Sequence, residues 1–432
     1  MKQLFFRSLG IFKDLQNKIA FYPTVFALFG ILFAFFIMNL ENRGISKYLL
    51  EKAPTLVVNN GNTAIAILTA LISGLISMIV FSFSMVMLLL SQASSNYSPR
   101  LLPGLISDKN HQVILGIYLA TTLYCIFILF SIQPTGDKYQ IPGFSVLLGI
   151  LGTVISIYAF IYFIHNISQS IQINHILDRI YKSARSLLEN LIEKESEPNS
   201  DFPSSKDWFE FPTEKSGYLQ DISTSVLIDI CEKEDIKLRI LPVKGQFILI
   251  GIPLFKSNKK LEENTLKKIL SSFEFARGEL VEDNYVLAFK QITEIIIKAM
   301  SPGINDPGTA INGIDYLTEL LALRLKKKDV HIIGNNDKAY IKISMVKFED
   351  LLYNVMASIR TYCKHDIILV QKLLLMFKYL KTQNVKNSKY FDCIDTEVKT
   401  LLDDVKKAVT NQRDIDTALK MVKKLGLVIK KT

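Results

Sequence analysis

The residue types best suited to chemistry gather in one short stretch, Met300-Ser301-Pro302-Gly303-Ile304-Asn305-Asp306-Pro307-Gly308-Thr309-Ala310. Ser301, Asn305, Asp306 and Thr309 offer oxygens to a cation, and the backbone N–H groups of a helix start offer a dock for an anion. The same residues also make a helix cap, with Asp306 as N-cap and Pro307 at the first helical position. Caps and turns use these types so often that the stretch reads first as an interhelical turn and second as a ligand site.

A second constellation is only weakly polar. Ala66, Ala70, Ser73, Gly74 and Ser77, continued by Ser84 and Ser91 at seven-residue intervals, put small side chains on one stripe of an apolar run. Small residues so spaced let helices approach closely and hydrogen-bond across the contact. Alternatively, the stripe of Ala70, Ser73, Gly74, Ser77, Ser84 and Ser91 lines a pore in an oligomer, where hydroxyls replace part of an ion's hydration shell.

Nothing else in the chain marks a reaction. It has no GxSxG elbow, no GxxxxGK[ST] loop and no kinase signature. Cys125, Cys231, Cys363 and Cys393 are isolated and the five histidines scattered, so neither a disulfide framework nor a metal site is expected, nor any cofactor. The net charge of +10 is spread evenly, without the basic and aromatic interleaving of a nucleic-acid face. Lys420, Lys423, Lys424, Lys430 and Lys431 read as a solvated helix face or as a contact to anionic headgroups. No enzymatic activity is expected.

The elements that carry these residues divide at about Ile167. Before it stand four uncharged hydrophobic stretches, near residues 21–40, 63–90, 113–132 and 144–167. Twenty residues at 1.5 Å rise cross the roughly 30 Å hydrocarbon core, so each is expected to span a membrane. Lys2, Arg7, Lys13, Lys18, Arg100, Lys109, Arg179, Lys182 and Arg185 flank one side; Arg43, Lys47, Lys52 and Lys138 flank the other. That excess places both termini in the cytoplasm of a multi-pass protein of the plasma (inner) membrane, with Tyr22, Tyr97 and Tyr139 as interfacial anchors.

Beyond the fourth span, Ile173, Leu177, Ile180, Ala184, Leu187 and Leu191 alternate spacings of four and three. Residues 168–193 are therefore expected to form a helical stalk continuing the fourth helix, its seam buried against a partner or against its own soluble domain. Prolines, serines and acids mark a linker over 194–215. Ile236–Leu241 and Gln246–Leu254, around Lys244-Gly245, predict strands of a small β module over 216–260. From 261 to 432 the periodicity is helical, with helices over 284–300, 309–327, 344–362, 365–384, 391–410 and 413–429. The fold class is mainly α: a four-helix transmembrane unit, then a cytoplasmic α+β domain with a small β module and a helical bundle.

SPGINDPGTA, QASSNYSPRLL at residues 92–102, and SGYLQDI followed by GQFILIGIPL within 216–254 together resemble an uncharacterised bacterial predicted-membrane-protein family, domain of unknown function two-two-five-four. The likeness runs over nearly the whole chain and implies a multi-pass membrane protein with no activity to carry over. The last two pieces are also similar to a biotinyl-lipoyl-like sheet, without a modifiable lysine motif. The leading functional expectation is an oligomeric channel or transport-type protein, a homo-oligomer in the lipid bilayer, whose second span lines the route for an unidentified ion. The alternative is a membrane-anchored sensor or scaffold that binds a small ligand or protein near Asn305 and Asp306.

Overall fold

The computed structural model describes residues 20–52, 55, 57–58, 60–96, 109–132, 142–170, 172–193, 202–277, 284–335 and 338–427. Lys2, Arg7, Lys13, Lys18, Tyr97, Arg100, Lys138, Tyr139, Lys430, Lys431 and most of the QASSNYSPRLL segment lie outside them. The chain forms two compact units that divide at Gln172.

The first unit is helical because its sequence gives the backbone no other way to satisfy its polar groups in an apolar medium. Helices α1 (Phe21–Asn42), α3 (Gly61–Asn96), α4 (Lys109–Ser131) and α5 (Gly143–Ser170) are joined by the short α2 (Ile45–Lys52) and by connecting segments. All four long helices are apolar enough to cross a membrane, with mean hydropathies of 2.2 to 2.5. Helix α4 is the hub, packing on α1, α3 and α5. It lies close to α1 because Gly30 has no side chain: a Cβ there would stand 2.4 Å from the Ala120 carbonyl oxygen. Ala34, Leu68, Tyr124, Cys125 and Ile128 fill one part of the core; Leu89, Ile114, Tyr118, Phe163 and Ile167 fill another. At the start of α4 the Lys109 ammonium sits over the Tyr22 ring, 5.3 Å from its centre.

The outer surface of this unit remains apolar, with Leu32, Phe130, Tyr158 and Ile161 more than half exposed. Water would not tolerate such a belt; lipid does.

The fourth span ends at Ser170 and a separate helix, α6 (Ile173–Glu193), begins three residues later, so the stalk is not one unbroken helix with the span. Ile176, Leu177, Ile180, Tyr181, Ala184 and Leu188 are the buried face of α6. They pack on two helices of the second unit, α9 (Tyr285–Ala299) and α10 (Pro307–Leu325), so the seam closes on its own domain.

Strands occur well beyond the 216–260 stretch. β1 (Phe209–Pro212) lies inside the expected linker, and β6 (Phe273–Ala276), β7 (Val330–Asn335) and β8 (Lys338–Ser344) lie inside the expected helical region. With β2 (Gly217–Ile222), β3 (Leu238–Ile240), β4 (Phe247–Ile248) and β5 (Pro253–Ser257) they form two sheets, of order β1-β5-β3-β8-β7 and β4-β2-β6. The predicted strands around Lys244-Gly245 pair only at the end of the second, where the Leu241 amide donates to the Leu254 carbonyl at 3.1 Å and β3 pairs with β5; the other edge of β3 takes β8, and β4 pairs with β2 instead. Helices α7 (Thr224–Glu234) and α8 (Glu263–Leu270) accompany the sheets, over a core that includes Leu227, Cys231, Leu238, Leu254, Phe255 and Ile341.

The bundle comprises α9, α10, α11 (Phe348–Cys363), α12 (Ile367–Lys381), α13 (Lys389–Ala408) and α14 (Gln412–Lys424), close to the predicted spans. Helix α9 is its axis: Leu287, Phe289, Ile292, Ile295 and Ile296 are all buried. It contacts α6, α10 and α11. Two buried arginines pin the periphery. Arg360 bonds Glu397 and, at 3.1 Å, Asp404, joining α11 to α13. Arg324, fully buried, donates to the carbonyls of Lys327 (2.9 Å) and Val346 (2.7 Å) and to the carboxylate of Asp329.

Candidate functional site

The structure resolves SPGINDPGTA into a tight turn between α9 and α10. Ser301 Oγ donates to the Lys298 carbonyl at 2.7 Å, and the amides of Ile304 and Asn305 both donate to the Ser301 carbonyl at 3.0 Å. Asn305 takes the left-handed conformation, φ 47°, which asparagine tolerates better than most residues. Both Asp306 carboxylate oxygens are engaged by one residue: Oδ1 accepts from the Thr309 amide at 3.1 Å and Oδ2 from the Thr309 hydroxyl at 2.6 Å. These bonds from Thr309 hold the Asp306 carboxyl below its usual range. The arrangement is an N-cap, with Pro307 at the first helical position, and it engages the oxygens a cation would need.

The stripe on α3 has a different geometry. Leu68, Leu75, Ser82 and Leu89 recur every seven residues and are all buried against the rest of the unit. Ala70, Ser77, Ser84 and Ser91 recur every seven residues too, displaced by two positions, which turns them by about 200° around the helix. Ala70, Ser73, Gly74, Ser77, Ser84 and Ser91 are accordingly all exposed, and a Cβ at Gly74 would meet nothing within 4 Å. Ser73, Ser77 and Ser84 donate to the carbonyls of Thr69, Ser73 and Val80, each at 2.9 Å. Each donor is satisfied within the helix, and the hydroxyl oxygen's remaining lone pairs stay available. The two constellations thus belong to different units, the stripe to the first and the turn to the second.

Sequence reasoning passed over a third feature. Glu41, at the end of α1, is only 6% exposed. Its Oε1 accepts from the amide and the hydroxyl of Ser145, both at 2.8 Å, and its Oε2 accepts from Ser46 Oγ at 2.6 Å. Ser46 Oγ in turn accepts from the Phe144 amide at 3.0 Å. The orphan N–H groups that open α5 are thereby capped from two other helices. Tyr124 OH extends the knot by donating to the Ser145 carbonyl at 2.9 Å. The available signal was one acid at the end of an apolar helix and two serines near helix starts, too common a combination to single out.

No group of three His, Cys, Asp or Glu among the described residues is placed to hold a metal ion. Burial raises the Cys231 and Cys363 thiols to about 12 and the Cys393 thiol to about 11, so none of these carries appreciable thiolate at neutral pH.

The second unit contains a cavity of about 360 Å³ between the β layer and the bundle, also unanticipated. Its walls come from α6, the end of β2, the Val243-Lys244 turn, the start of α9, and β7 and β8. These segments are far apart in sequence, so no local pattern announces it.

The relatives found by sequence name no role. Uncharacterized proteins of Mycobacterium bovis and Mycobacterium tuberculosis are each 24% identical over 361 residues, covering 79% of this chain and 68% of theirs. No solved structure shows significant similarity. The family model described as "Predicted membrane protein (DUF2254)" matches residues 16–379, from before the first span to within α12. Four apolar helices, an α+β unit behind them and a match over most of its length mark the chain as a membrane protein belonging to the DUF2254 family.

Proposed function

We propose that this protein is an oligomeric channel or transport-type protein of the bacterial inner membrane, in which α3 lines the route and the second unit is a cytoplasmic regulatory domain. The observation that carries the reading is the outward face of α3. Small residues drive helix association in lipid by packing rather than by hydrophobicity. Here a whole stripe of them is turned away from the chain's other spans, which supports a second copy as its neighbour. Because Ser73, Ser77 and Ser84 donate inward, they present acceptor lone pairs outward, the complement of a partly dehydrated cation. No Asp, Glu, Lys or Arg lies within the middle of any span, which favours a passive pore over a proton-coupled pump. The cytoplasmic assignment rests on the nine basic residues flanking one side against four on the other.

Conductance of the purified chain in planar bilayers tests the proposal. Cation current that falls at least tenfold in Ser77→Leu and Ser84→Leu is the expected result. No current under voltage, tension or pH change, or current indifferent to both substitutions, removes it. A second reading, a membrane-anchored sensor without enzymatic activity, draws support from the cavity in the second unit rather than from Asn305 and Asp306, where the carboxylate is engaged as a cap.

A further inference from the structure

We infer that the cavity of the second unit is a binding site for a small amphipathic anion, an apolar body carrying one carboxylate or phosphate head. The inference rests on the second unit alone and is independent of the pore reading.

The size and the walls set the body of the ligand. About 360 Å³ lies at the lower end of the roughly 300–1,000 Å³ usual for ligand pockets, and Leu187, Leu191, Val286 and Ile333 make much of the lining apolar. Leu187 and Leu191 are only half-buried, although they belong to the hydrophobic repeat of α6; the cavity is what they face. Leaving apolar walls around open space costs stability unless something fills it.

The charges set the head. Lys244 and His331 line the cavity, and Asp221 is the one acid among its described lining residues. The Lys244 ammonium lies 2.8 Å from Asp221 Oδ1 at a solvent-accessible position, which leaves two of its N–H donors for another anion. Helices α7 and α9, of 11 and 15 residues, both begin at the wall, at Thr224 and at Asn284-Tyr285; Asn284 Oδ1 caps α9 by accepting from the Val286 amide at 3.0 Å, so the positive end of α7 is the freer one. Ser223 makes no side-chain cap on α7. Behind the wall, the guanidinium of Arg324 donates to the carbonyl of Val346, itself a lining residue. A rim lysine that keeps donors to spare beyond its pairing with Asp221, and the start of α7 without a side-chain cap, beside an apolar chamber, match an anionic head on an apolar body.

The test uses the full-length protein in lipid nanodiscs and three probes: 1-naphthoate, 1-naphthyl phosphate and the neutral 1-naphthalenemethanol. Equilibrium dialysis is expected to show saturable binding of at least one anion with a Kd at least tenfold below that of the alcohol, and the tighter anion identifies the head. Val286→Trp, which fills the chamber, is expected to abolish that binding, and Lys244→Met to weaken it about tenfold and erase the preference for charge. Leu187→Trp, at the cavity edge, serves as the filling variant should Val286→Trp fail to fold, as judged by its melting midpoint without probe. Equal affinity for the alcohol and the anions overturns the assignment of the head. No saturable binding of either anion, or anion binding unchanged by the folded filling variant, overturns the site.

Discussion

Glu41 and Ser145, 104 residues apart in sequence, are joined by two hydrogen bonds of 2.8 Å to a single carboxylate oxygen. The acid that terminates the first span is in effect the N-cap of the fourth. Removing it leaves an amide and two hydroxyls without their acceptor in a site only 6% exposed for Glu41 and fully buried for Ser145. At about 1–3 kcal/mol for each of these three groups left unsatisfied, Glu41→Ala should lower stability by at least about 3 kcal/mol. Ser46→Ala, which removes one bridge, should cost about 1 kcal/mol. Thermal unfolding of the detergent-solubilised chain would show the order; a Glu41→Ala midpoint equal to wild type would contradict the cap.

The outward stripe of α3 predicts a separation of effects. Ser77 and Ser84 are exposed in the single chain, so Leu at either position should leave the melting midpoint of the monomer within about 2 °C, in keeping with the small effects of surface substitution. In the proposed oligomer, where a second copy would cover the stripe, the added bulk should act. Light scattering in detergent should show the wild-type particle mass falling toward that of one chain in the variants, and an unchanged mass would contradict the interface; Ser82→Leu, on the buried register, should instead destabilise the monomer by about 1–3 kcal/mol through overpacking.

Asp306 should behave as a cap and not as a ligand. Asp306→Ala should cost about 0.5–2 kcal/mol, and Asp306→Asn should recover most of it because asparagine also caps well. Since the folded carboxyl is held below its unfolded value, its contribution is present above the unfolded pKa and is lost as pH falls through the folded one. The melting difference between wild type and Asp306→Ala should therefore be constant from pH 7 to pH 5 and shrink in more acidic buffer. A difference that grows on acidification would contradict the assignment.

Arg360 and Glu397 form a pair that is buried on both sides, with Asp404 as a more exposed third member. Breaking such a pair from one side strands a charge, so Glu397→Leu should destabilise the second unit by about 3–5 kcal/mol. The double variant Arg360→Met with Glu397→Leu should recover most of that loss. Denaturant titration of the single and double variants measures the coupling; additive losses would mean that the pair carries no mutual stabilisation.

The spans and the bundle helices were legible because each is a long segment whose own periodicity or lack of charge decides its state. Asp306 was legible as a cap because its partner, Thr309, lies three residues away. Legibility failed where partners are distant. Glu41 looks like the flank of a span until Ser145 is brought to it. The three residues of β3 carry too little pattern to show that their neighbours are β5 on one side and β8 on the other. The serine stripe could be drawn from spacing alone, but which way it faces depended on α4 and α5 occupying the opposite register, Leu68 to Leu89.

The parallel register that sets Leu238 opposite Ile341 has a bearing on how the protein is made. Its two strands leave the ribosome about a hundred residues apart, an interval of roughly 5–20 s at ordinary elongation rates. For that time the first strands of the larger sheet stand with one edge open. Nascent chains stopped before Val330 should collect chaperones or aggregate, and those released after Ser344 should not.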